Sequence, residues 1–163
     1  MRGFAVWALA VSLVLGASDG VAAQQRGAGG GRAGAPPMTP VVYRQYIMEQ
    51  LQQSMSALTA IRNGTAGAPS HLLGRATIVQ LLSTMLPEAF AANVGGEGSR
   101  SLPGVWDDAS EFAGRIQTLR TAADQLLDAA RGADMEAVAT AQTAVQQACA
   151  GCHMQFRGPA PGA

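Results

Sequence analysis

The sequence predicts an all-α fold, an antiparallel four-helix bundle. Three observations point to it. Four segments repeat apolar residues at three- and four-residue steps, the spacing of one helix face. The connections between them carry Gly or Pro and are short enough to make successive helices antiparallel neighbours. No segment alternates apolar and polar residues with the period of two that a strand needs.

Residues 1–23 stand outside the predicted bundle. Arg2 supplies a positive start, and Phe4 to Leu15 is apolar or small apart from Ser12. Val21-Ala22-Ala23 then offers the small residues of a cleavage site before Gln24, the pattern of a secretory signal peptide. The competing reading is a membrane anchor. The apolar run is shorter than the ~20 residues a spanning helix needs, and Ser18 and Asp19 follow it closely. Cleavage is the preferred reading, with no stable membrane insertion of the mature chain. Residues 24–38 include RGAGGGRAGAPP, a flexible Gly/Pro-rich linker with no apolar face.

The bundle is assigned to residues 39–158, with 159–163 as a tail. Thr39-Pro40 gives a hydroxyl N-cap followed by Pro at the first helical position. Val41, Met48, Leu51, Met55 and Leu58 form the first apolar stripe, and Asn63-Gly64 ends it. Pro69-Ser70 opens the second segment, with Leu72, Leu73, Ile78, Leu81, Leu82 and Met85 as its stripe and Pro87 as its stop. Residues 91–104 read as a Gly-rich loop. The third helix starts between Val105 and Asp108 and carries Trp106, Ala109, Phe112, Ile116, Leu119, Leu126 and Leu127 up to Arg131-Gly132. Asp134 caps the fourth, which carries Met135, Val138, Val145, Cys149, Cys152 and Phe156.

Composition narrows the function. Eleven basic residues, all Arg, balance eleven acidic ones, so the basic stripe of a nucleic-acid binder is absent. A lysine-ringed docking surface is excluded for the same reason. No acid–base pair, nucleophile constellation or phosphate loop stands out, so no enzyme is proposed. Aromatic residues make up only 5% of the chain, and the small side chains that replace them leave room between helices.

The chemistry sits at Cys149-Ala-Gly-Cys152-His153. On a helix, positions three and four apart share a face, so both sulfurs and the imidazole project along one edge. C-x-x-C-H is the attachment signature of c-type haem: two thioether bonds to its vinyl groups and an axial histidine. Three other readings compete. A redox dithiol needs a cysteine at a helix N-terminus, usually after a strand, and this pair lies near a helix C-terminus. Zinc needs a fourth ligand, and His71 is the only other histidine. Idle free thiols are uncommon in an exported protein. Export itself favours haem, which is attached outside the cytoplasm.

From Val41 to Arg157 the chain resembles the cytochrome c′ / cytochrome c-556 family, the class II c-type cytochromes. The resemblance rests on Tyr43-Arg44-Gln45, on Leu86-Pro87-Glu88-Ala89-Phe90, on Pro103-Gly104-Val105-Trp106 and on Cys149-x-x-Cys152-His153-x-x-Phe156-Arg157. It implies a periplasmic four-helix bundle with one covalent haem near the C-terminal end of the last helix. By position, Cys149 and Cys152 are implied as the thioether anchors and His153 as the proximal ligand. Arg44 falls where the family places an arginine near the haem propionates. Gln45, Glu97 and Gly98 fall near the haem edge, and Arg157 matches a basic residue near the haem. Ordinary solvated side chains are the competing reading for Arg44 and Arg157, and the preferred one for Glu97. The resemblance also implies a homodimer through the first two helices.

The same resemblance puts Met48 over the distal face of the iron, and two readings stay open. Met/His ligation suits electron transfer between redox proteins, because it raises the reduction potential. Alternatively Met48 packs over a five-coordinate iron that binds NO or CO, as an apolar distal face without a nearby hydrogen-bond donor would favour. Ligation is preferred, since a thioether facing an open iron site is an available sixth ligand. Met55 is assigned to core packing toward the bundle end, and His71 to an exposed surface position.

Overall fold

A computed structural model describes residues 37–95 and 98–160. The signal peptide, most of the linker, Glu97 and the last three residues of the tail lie outside the described residues. The elements are α1 (Pro40–Arg62), α2 (Leu72–Ala89), a one-turn α3 (Gly104–Asp107), α4 (Ala109–Arg131) and α5 (Met135–Phe156), with a 3-10 turn at Pro69–His71 before α2.

The start and stop signals act as expected at most ends. Thr39 Oγ1 accepts from the Val42 amide at 3.2 Å and caps α1. Asn63 is its C-cap. Asp134 accepts from the amides of Glu136 and Ala137, both at 3.0 Å, and caps α5.

Two boundaries differ. Pro87 does not close α2, which runs on to Ala89. A proline costs that turn one hydrogen bond. Leu86 and Ala89 are both buried there, and their packing holds the turn. The expected third helix is two pieces. Asp108 leaves helical geometry with φ −122° and ψ 59°, and its carboxylate accepts from the Glu111 amide at 3.3 Å. Asp108, the far limit of the expected start, is thus the N-cap that restarts the chain as α4.

The α2 stripe is also corrected. Its packed face is Leu72, Ala76, Val79, Ser83, Leu86 and Ala89, whereas Leu73, Leu81 and Met85 are exposed. Ala76, Ser83 and Ala89 alternate on that face with Leu72, Val79 and Leu86, while Leu73, Leu81 and Met85 turn outward.

The four long helices form a bundle. α1 packs on α2, α2 on α4 and α4 on α5. The remaining edge, between α1 and α5, is nearly open. Gln142 ties it at one end: this buried side chain donates from Nε2 to the Met55 carbonyl at 3.2 Å and to Thr59 Oγ1 at 2.7 Å. Beyond that tie, toward the C-terminus of α5, the two helices stand apart.

Candidate functional site

The gap between α1 and α5 is a cavity of 620 Å³. That volume falls within the range of about 300–1,000 Å³ typical of cofactor pockets. Cys149, Cys152 and His153 line it from α5, and Arg44, Gln45 and Met48 line it from α1. Gly98 and Arg157 border it as well. Every sequence-identified residue within the described part therefore meets in one place.

The α5 wall is built by helix phase. Val145, Cys149, Cys152 and Phe156 follow at steps of three and four and face the cavity together. Burial raises the Cys149 thiol above its ordinary pKa. Burial also raises Cys152, with Cys149 adding to the effect and the Arg115 cation opposing it. Both shifts disfavour the thiolate on which a redox dithiol depends. Among the described residues no three His, Cys, Asp or Glu side chains gather as a site for a bare metal ion. Burial, then the cations of Arg157 and Arg100, lowers the His153 pKa. The neutral imidazole, the form that ligates iron, is favoured. Arg157 stands beside it, with Nη1 3.4 Å from His153 Nδ1.

On α1 the lining is mixed. Met48, Leu51 and Met55 are interspersed with Gln52, Ser56 and Thr59. Met55, assigned to core packing, lies on the cavity wall: position 55 keeps the phase of position 48, and the cavity extends that far. Polar lining at Gln52, Ser56 and Thr59 was also unforeseen, since the sequence stripe followed apolar residues alone.

Arg44 is the most unusual side chain of the site. It is only 3% exposed. Nη1 donates to the Ala92 carbonyl at 3.2 Å and Nη2 to the Val94 carbonyl at 2.5 Å. The guanidinium carbon lies 5.4 Å from the centroid of Phe90 and 5.5 Å from that of Trp106, within cation–π range. Trp106 is fixed in turn, as its Nε1 donates to the Phe90 carbonyl at 2.8 Å. Burial lowers the Arg44 pKa, and guanidinium stays charged at neutral pH. The solvated reading of Arg44 is therefore overturned. No carboxylate pairs with it among the described residues.

Gln45 Nε2 donates to the Gly98 carbonyl at 2.6 Å. Gly98 has φ +82°, a left-handed conformation that glycine adopts without strain. A Cβ there would stand 3.3 Å from Gln45 Nε2. Arg157 is exposed, as in its solvated reading, yet it contacts His153 and borders the cavity. His71 is exposed and does not line the cavity.

Sequence reasoning missed Arg100 and Arg115, and it cited Phe90 only inside a motif. Phe90, Phe112 and Phe156 stack edge to face at 5.0 and 5.1 Å and line the cavity. Arg115 follows Phe112 by three positions, so helix phase alone would have found it. Arg100 lies in a loop without periodicity. It donates from Nε and Nη2 to the Gly158 carbonyl at 3.0 and 2.7 Å, fastening the chain just beyond α5.

Two thiols and an imidazole on one wall of a cavity of this size match the protein donor set of a covalent c-type haem. The comparisons with known proteins agree. The family model described as Cytochrome C′ matches residues 39–157. Cytochrome c-556 of Agrobacterium fabrum is 32% identical over 116 residues, covering 70% of this chain and 77% of the relative. Among solved structures, cytochrome c′ of Rubrivivax gelatinosus superposes with a TM-score of 0.67 at 26% identity, covering 72% of this chain and 94% of that one. Variants of cytochrome c′ from Alcaligenes xylosoxidans, solved as nitric-oxide and carbon-monoxide complexes, give a TM-score of 0.66 at 25% identity, covering 74% and 94% of the two chains. The chain belongs to the cytochrome c′ family, and its prosthetic group is a single covalent haem c.

Proposed function

We propose that the protein is a periplasmic monohaem electron carrier in which Cys149 and Cys152 hold the haem, His153 is the proximal ligand and Met48 the distal one. One observation carries this reading. A single cavity brings the two thiols and the imidazole of α5 opposite the Met48 thioether of α1. When bound, haem supplies an iron centre that changes by one electron. The chain's own groups do the rest. Cys149 and Cys152 would anchor the haem, the neutral imidazole of His153 would ligate the iron, and the apolar part of the lining, Leu51, Ile116 and Val145 among it, would shield it from water. Arg44 uses two of its five N–H groups on loop carbonyls. The remaining donors and the charge suit a propionate, which would supply the anion it lacks among the described residues. Gln45 and Gly98 bound the same edge, and Arg157 adds a second cation there. Glu97 remains a haem-edge residue by resemblance alone.

Periplasmic placement rests on the signal-like residues 1–23 and on haem attachment outside the cytoplasm. No helix among the described residues is long and apolar enough to cross a membrane. The exposed Leu73, Leu81 and Met85 of α2, with Tyr46 of α1, support a homodimer through the first two helices.

Optical spectra of the purified holoprotein test the ligation. A low-spin ferrous spectrum with a methionine-to-iron charge-transfer band in the ferric form is expected. A high-spin ferrous spectrum overturns Met48 ligation. It would favour the second reading, a five-coordinate protein that binds NO or CO, which is supported by the gas complexes of the Alcaligenes relative. Micromolar CO should then bind the ferrous form without displacing a ligand.

A further inference from the structure

The geometry points to Arg44 as the residue that positions Met48. The two lie four residues apart on α1, one helical turn, and both face the cavity. α1 has few contacts with α5, so the distal wall is not braced against the proximal one. On the other side α1 packs on α2, and Arg44 adds a polar lock to that packing one turn from Met48. Arg44 spans two carbonyls, Ala92 at 3.2 Å and Val94 at 2.5 Å. Its guanidinium lies within cation–π range of two rings, those of Phe90, the C-cap of α2, and of Trp106, on α3. The Val94 amide donates to the Ala92 carbonyl at 2.8 Å, and Trp106 Nε1 donates to the Phe90 carbonyl at 2.8 Å. The socket is therefore hydrogen-bonded internally before Arg44 enters it.

A buried cation cannot slide outward by an ångström without leaving these acceptors, and each lost charge-assisted hydrogen bond is costly. Helical geometry is stiff over one turn, so locking Arg44 fixes the Cα of Met48. The distal thioether then has one approach to the iron rather than a spread of them. This role rests on the proposed haem reading and adds to it. Arg44 acts here through Met48, separately from any charge it presents to a propionate.

The test uses holoprotein carrying Arg44→Lys, Trp106→Phe and Met48→Ala, with Arg44→Lys also made in the Met48→Ala background. Arg44→Lys keeps the charge but cannot span both carbonyls. Trp106→Phe loosens the socket without changing any charge. Both are expected to shift the ferrous spectrum from low toward high spin and to raise the CO association rate about fivefold. In the Met48→Ala background the Arg44→Lys effect on CO association should vanish. A wild-type spectrum and CO rate in Arg44→Lys and Trp106→Phe, where Met48→Ala changes both, overturn the positioning role alone. An Arg44→Lys effect that persists in the Met48→Ala background also overturns it, pointing to propionate charge instead. An unchanged spectrum in Met48→Ala overturns the ligation reading itself. Helical circular dichroism and a haem stain on each variant confirm that every comparison is between folded holoproteins.

Discussion

Arg157 Nη1 stands 3.4 Å from His153 Nδ1, inside the last turn of the haem-motif helix. Ligation through Nε2 leaves the proton of a neutral imidazole on Nδ1, where it would face the donors of Arg157. The guanidinium would then turn toward an acceptor, and a haem propionate would supply one. Its charge also lowers the basicity of His153. Removing the charge favours the ferric iron twice over, by a stronger imidazole donor and by the lost cation. Arg157→Gln should therefore lower the reduction potential by tens of millivolts, with the haem spectrum otherwise unchanged. Equilibrium redox titration of the two holoproteins reads this directly.

The two thiols are predicted to be separable anchors. Cys149→Ala or Cys152→Ala leaves one thioether bond, which shifts the ferrous α-band to longer wavelength while the chain still stains for haem after denaturing electrophoresis. The double variant should lose the stain altogether. His153→Ala tests a different bond. Its covalent haem should remain, and its spectrum should lose the signature of histidine ligation.

Gly98 is predicted to be hard to replace. Its φ of +82° strains any residue with a Cβ, by about 1–2 kcal/mol. The added Cβ would also stand 3.3 Å from Gln45 Nε2 and push on the 2.6 Å hydrogen bond. Gly98→Ala should lower thermal stability, and Gly98→Asn, whose side chain tolerates this conformation better, should lower it less. Calorimetry of both variants measures the difference.

These predictions draw unequally on sequence and structure. The haem wall was legible because helix phase and a five-residue motif place Cys149, Cys152 and His153 along one edge. The ends of α1 and α5 were legible because Thr39 and Asp134 are caps of known chemistry. Pro87 misled because a stop signal is local, and the packing of Leu86 and Ala89 decides whether the chain obeys it; the start between Val105 and Asp108 was legible, but its split into two pieces at Asp108 was not. The α2 face misled because residue size was taken for burial, although Ala76 and Ser83 are what neighbouring helices pack against. The burial of Arg44 had no local signature at all. It depends on Phe90, Val94 and Trp106, which lie 46 to 62 residues away in sequence.

The outward-facing apolar residues of α2 give a prediction of their own. Leu81 is 55% exposed and lies between Ile78 and Met85 on the outer side of the helix. A homodimer through α1 and α2 would bury it, and a charge there would be left without a partner. If the protein pairs through this face, Leu81→Arg should leave it monomeric in sedimentation equilibrium where the wild type is dimeric, with the haem spectrum unchanged because the cavity lies on the α1–α5 edge.

Gln142 allows two opposing terms to be weighed. It is 2% exposed, and its Nε2 makes two hydrogen bonds that join α5 to α1. Its Oε1 has no hydrogen-bond partner among the described residues. Each bond contributes about 0.5–1.5 kcal/mol net, and a buried unsatisfied acceptor costs about 1–3 kcal/mol. The two effects are of similar size. Thr59 Oγ1 also keeps its own bond to the Met55 carbonyl, at 3.1 Å, when the amide is gone. Gln142→Met, which conserves most of the volume, should therefore fold within about 1 kcal/mol of the wild type. Gln142→Ala removes the same bonds and also leaves a cavity, so it should cost roughly 2–4 kcal/mol. Denaturant titration separates the outcomes. If the methionine variant is as unstable as the alanine one, the hydrogen bonds rather than the packing hold the closed end of the haem cavity together.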